Sequence, residues 1–80
     1  MTPKVGDIFR NYLCGAELKI IDVKSYYSYP DTWAIDYVVH DSKGCKVCEK
    51  GKTKVSSMYR TKKEYSYSFV KNLKLDTEIL

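Results

Sequence analysis

No run in this chain approaches the roughly 20 apolar residues that cross a bilayer, and its opening, MTPKVGDIFR, has no apolar h-region. Neither a membrane span nor a secretory signal is expected, and the expected location is the cytoplasm, including that of a host. Cysteine is scarce and odd in number. Three cysteines close no disulfide framework, and in a reducing compartment a C-x-x-C pair points to free thiols, metal or redox chemistry. Histidine occurs once, and G-x-x-x-x-G-K-[ST], G-x-S-x-G and HExxH are all absent. Nothing pairs a nucleophile with a base. No enzyme, catalytic residue or small-molecule substrate is expected.

What the chain does hold is aromatic and cationic. Eight tyrosines, two phenylalanines and one tryptophan in 80 residues argue for a folded domain. A chain of this size buries only roughly 60% of its unfolded surface, so its core is modest. There is no internal repeat or low-complexity tract, and residues 1–80 are expected to form one domain. The net charge is only +4, yet it is unevenly spread: Lys43 to Lys63 holds eight cations and the single anion Glu49. Long-range attraction for anions is therefore concentrated on one region.

Read in order, Val5 to Leu13 is expected as a first strand, broken by Cys14-Gly15. Glu17 to Val23 (ELKIIDV) is β-rich and makes a second. Ser25 to Thr32 (SYYSYPDT) reads as an exposed aromatic loop with a Pro30-Asp31 turn. From Trp33 the alternation is clean, with Trp33, Ile35, Tyr37 and Val39 on one face and Ala34, Asp36, Val38 and His40 on the other. Asp41-Ser42-Lys43-Gly44 supplies turn chemistry, so the stretch to Val55 is expected to return as the second arm of a hairpin. In that arm Lys46, Lys50, Lys52 and Lys54 share one parity. Met58 and Tyr59 close a further strand, and Phe69, Val70 and Leu73 suggest a short helical turn plugging an open end of the sheet. The closing DTEIL is expected to fray.

The opening V-G-D-I-F-R, the L-x-I-I-D-V strand, the aromatic hairpin with its D-S-K-G turn and the late F-V-K-x-L together resemble small SH3-like barrel proteins, among them many short bacteriophage products. The resemblance implies a mostly β fold: a small SH3-like antiparallel barrel or strongly bent sheet of about five strands. Such barrels host many unrelated tasks, and no binding residues carry over. The expected core is Ile8, Leu18, Ile20, Ile35, Tyr37, Val39, Val47, Val55 and Phe69.

Three constellations carry chemistry. Lys46, Lys50, Lys52, Lys54, Arg60, Lys62 and Lys63 can neutralise phosphates, and Tyr59, with Tyr65 and Tyr67 nearby, can stack on bases. The expected task is thus non-catalytic contact with nucleic acid or a nucleoprotein; the bland alternative is a solvated lysine edge that blocks edge-to-edge pairing. Tyr26, Tyr27, Tyr29 and Trp33 offer a second surface, which suits a phage-type inhibitor or adaptor docking on a host protein. Cys45-Lys46-Val47-Cys48, with Cys14 and His40, has the ligand count for one zinc, but Cys14 and His40 are separate singletons where a second close pair is usual, so no cofactor is expected and zinc is the alternative. In a straight strand, however, Cys45 and Cys48 point to opposite faces, and a redox pair needs a helix N-terminus where strand is expected.

Overall fold

The computed structural model describes residues 2–26, 28–52 and 54–73. Five strands form one antiparallel sheet: β1 (Asp7–Arg10), β2 (Glu17–Ser25), β3 (Thr32–Asp41), β4 (Ser56–Thr61) and β5 (Phe69–Asn72), in the order β4-β3-β2-β1-β5. Two short helices, α1 (Lys46–Lys50) and α2 (Lys62–Ser68), flank β4 in the chain. The fold is mostly β, as expected. The sheet is not closed into a barrel: β4 and β5 remain its two edges. Among the described residues no helix is long and apolar enough to cross a membrane.

The alternation of β3 sets the inner face. Ile35 is fully buried, and Trp33, Tyr37 and Val39 pack against the cluster of Phe9, Leu18, Ile20, Ile35 and Tyr65. On β2 the run Leu18, Ile20, Val23 breaks strict alternation, and the pairing shows why. Ile20 lies opposite Tyr37 but Asp22 opposite Asp36, so Ile21 is the extra residue of a bulge and Val23 returns to the inner face. Phe9 is ringed by Tyr37 and Tyr65, each with its centroid 6.0 Å away. Ile8, Leu18, Ile20 and Ile35 are buried as expected, and Tyr37, Val39 and Phe69 are partly so.

The return arm of the expected hairpin is overturned. The strand that pairs with β3 is β4, with Tyr37 opposite Ser56, while residues 46–50 are helical. Lys43 and Gly44 both take positive φ, 50° and 82°, and this left-handed turn feeds a helix instead of a strand. Val47 and Val55, expected in the core, are 81% and 54% exposed, because neither belongs to the sheet. The late helical turn is also displaced: the helix precedes Phe69, which opens β5. DTEIL lies outside the described residues, as does Tyr27.

Helix α2 packs against both β4 and β1 and so spans the gap between distant parts of the sheet. Its start is a capping box: the Thr61 hydroxyl accepts the Glu64 N–H, and the Glu64 carboxylate accepts the Thr61 N–H at 3.1 Å. The Thr61 backbone N–H foremost, and then the Thr61 hydroxyl donating to the same carboxylate at 2.9 Å, hold the Glu64 carboxyl below its ordinary pKa. Its contribution to stability is therefore present above the usual glutamate range and is lost as pH falls through the lowered value. Thr61→Ala is expected to cost about 1 kcal/mol, read as a fall in Tm of roughly 4–8 °C. An unchanged Tm in thermal unfolding would count against the cap.

Candidate thiol centre and cationic cleft

Cys14 lies in the turn from β1 to β2, which Asn11 closes. The Gly15 N–H donates to the Asn11 carbonyl at 2.7 Å, and the Leu13 N–H donates to Asn11 Oδ1 at 3.0 Å. Cys45 stands at the N-cap position of α1, and Cys48, three residues on, lies on the same side of that helix. The helical turn thus removes the objection that a strand would separate the pair. Cys14 Sγ and Cys48 Sγ are 3.5 Å apart, and all three sulfurs lie within 4.8 Å of one another. Around zinc, with Zn–S of about 2.3 Å, tetrahedral thiolates stand about 3.8 Å apart. The three thiols could hold one metal ion with sub-ångström adjustment.

His40 does not join them. Glu17 pairs with Asp41 and Leu18 with Val39, which makes His40 the extra residue of a second bulge, exposed and outside the cluster. The three thiols are free. Cys45 is lowered from the ordinary thiol pKa, chiefly by the backbone N–H of Cys48 and then by the Cys48 and Cys14 thiols. Cys48 is pushed up to about 12, first by hydrogen bonding with Cys45 and then by burial. The pair therefore stands at the start of a helix, where a strand was expected.

The cations do not form one stripe. Lys46 and Lys50 are exposed on α1, and Lys52 and Lys54 are exposed on the segment leading to β4. Lys62 and Lys63 open α2, beyond the far end of β4, and six strand residues span about 20 Å. Lys43 is occupied by Asp41 at 3.4 Å and Glu17 at 3.8 Å. Of the expected set, Arg60, Lys62 and Lys63 cluster with residues that carry no signal in the sequence.

Arg60 reaches from β4 to the β1–β2 turn, its guanidinium carbon 5.5 Å from the centre of the Tyr12 ring. Beneath lies a cleft of about 440 Å³ lined by Arg10, Asn11, Tyr12, Gly15, Arg60, Glu64, Tyr67 and Ser68. A neighbouring hollow of about 570 Å³ is lined by Pro30, Asp31, Thr61, Lys62, Lys63, Ser66 and Tyr67, so Tyr67 forms the wall between the two. Tyr12 and Tyr67 are 74% and 81% exposed, whereas Tyr65, expected as a stacking ring, is fully buried. On a helix, residues two apart point about 200° from each other, which puts Tyr65 in the core and Tyr67 in solvent. Sequence reasoning misses Arg10 and Tyr12 because their relation to Lys62 exists only through α2.

Tyr59 leaves the lysines for the tyrosine loop. Its ring lies 4.9 Å from that of Tyr26, which stacks on Tyr29 at 5.4 Å. Asp22, Lys24, Asp36 and Ser57 border Tyr59 on this outer face. Trp33 does not belong to it, since it packs against the core from the inner face.

No protein-family model matches the chain, and neither curated proteins nor solved structures give a match.

Proposed function

We propose that this protein is a non-catalytic module that binds single-stranded nucleic acid, free or within a nucleoprotein, along the cleft between α2 and the β1–β2 turn. The observation that carries the reading is the pair of highly exposed rings flanking the cleft, Tyr12 and Tyr67, amid Arg10, Arg60, Lys62 and Lys63. Phosphates meet the four cations and unpaired bases stack on the rings, which gives weak sequence preference and steep salt dependence. Among the described residues Glu64 is the one carboxylate in the cleft proper, and it is already engaged by Thr61. Zinc is the cofactor this reading includes, held by the three thiols. A reducing compartment such as the cytoplasm keeps those thiols available.

The test is titration into labelled single- and double-stranded oligonucleotides at about 50 and about 200 mM salt. Single strands are expected to bind, weakening steeply across that range. Tyr67→Ala is expected to lose about 5- to 150-fold, the equivalent of one stacked base. No binding at the lower salt would refute the reading. It would favour a second one, in which a protein partner docks on Tyr26, Tyr29 and Tyr59; the stacked rings beside Asp22 and Asp36 support that surface.

A further inference from the structure

The thiol cluster and the cleft share one short segment of chain. Asn11, Tyr12 and Gly15 line the cleft, and Cys14 of the same turn meets the other two thiols. The turn is closed on itself, since the Cys14 and Gly15 N–H groups both donate to the Asn11 carbonyl. Displacing Cys14 therefore displaces Tyr12. On the other side, α1 is five residues long and buries none of them. A helix that short is marginal without tertiary support, and its sulfurs are its meeting point with the β1–β2 turn.

We propose that Cys14, Cys45 and Cys48 ligate one zinc ion through three thiolates and that this ion clasps the Tyr12 turn to α1, so that zinc and single-stranded nucleic acid bind cooperatively. The inference rests on the nucleic-acid reading of the cleft. As the three Zn–S bonds form, the thiols release their protons to solvent. No fourth side-chain ligand stands in the cluster among the described residues, so an exchangeable water completes the tetrahedron. Ordering the turn in advance removes part of the cost of ordering it on the strand, and linkage makes the effect reciprocal.

The full chain is kept reduced with a phosphine and treated with zinc sulfate. A chromophoric chelator then measures zinc affinity with and without a short thymidine oligonucleotide, and the oligonucleotide is titrated with and without zinc. One zinc per protein is expected, with oligonucleotide affinity raised about fivefold or more by zinc and zinc affinity raised by the same factor by the oligonucleotide. Cys14→Ser and, independently, Cys48→Ser remove both the zinc and the zinc response, while His40→Ala leaves them intact. Absence of zinc binding overturns the site. Zinc bound without oligonucleotide binding overturns the cleft reading and the coupling with it, and independent binding of both overturns the coupling alone.

Discussion

Asp7→Ala is expected to remove a large part of this protein's stability, with Tm falling by roughly 10–25 °C. Asp7 is 3% exposed, and its carboxylate gathers three separate parts of the chain. It accepts the Lys4 N–H at 2.9 Å, the Tyr65 hydroxyl from α2 and the Asn72 side-chain amide from β5 at 2.5 Å. Removing it takes this acceptor from two buried side-chain donors, at about 1–3 kcal/mol each. A domain of this size holds only about 4–12 kcal/mol in total. Tyr65→Phe deletes one of the bonds and should cost less than half as much. Burial, with Asp7 beside it, raises the Tyr65 pKa above its ordinary 10.0. That contribution is whole below the ordinary tyrosine range and is lost as pH climbs toward the raised value, so stability should decline in alkali. Thermal and urea unfolding decide the matter. An Asp7→Ala variant within about 1 kcal/mol of the parent would show that this three-way junction is not what fastens α2 and β5 to β1.

The residues that were legible are those whose neighbours are set by local period. Trp33, Ile35, Tyr37 and Val39 declare an inner face by parity, and the structure places all four there. Even the bulge in β2 has a local trace, in the adjacent Ile20 and Ile21 that alternation cannot place on one face. The segment from Lys46 to Val55 misled for a physical reason. Lysines at even positions imitate a strand's solvent face, and a five-residue helix is shorter than any window in which a period of 3.6 can be told from a period of 2. The thiol centre was half legible: residue type marked the three cysteines, but His40 was miscounted because a bulge, set by pairing with β2, turns it out to solvent. The cleft was not legible in its key members. Arg10 and Tyr12 lie some fifty residues before Lys62 and Tyr67, and only the packing of α2 across β4 and β1 brings them together.

Reversing Lys62 and Lys63 to glutamate should separate the two cationic groups that lie close together in sequence. If the strand lies along the cleft, this pair neutralises phosphates, and each phosphate left without its lysine lowers the log–log salt slope for a single strand by about 0.7. Two such phosphates reduce it by about 1.4, so from about 50 to about 200 mM salt the parent should weaken about sevenfold more than the variant. The affinity gap is therefore widest at low salt and narrows as salt rises. The same reversal at Lys46 and Lys50 places its charges on α1, none of whose residues lines the cleft. Its effect on a short oligonucleotide should be small, and its salt slope close to the parent's. Both pairs are exposed on helix surfaces and contribute nothing to the core, and thermal unfolding of each variant separates weakened binding from lost structure. If the α1 pair proved the more damaging, the strand would have to run past the thiol centre, and the cationic cleft beside Tyr67 would be a by-product of how α2 bridges the sheet.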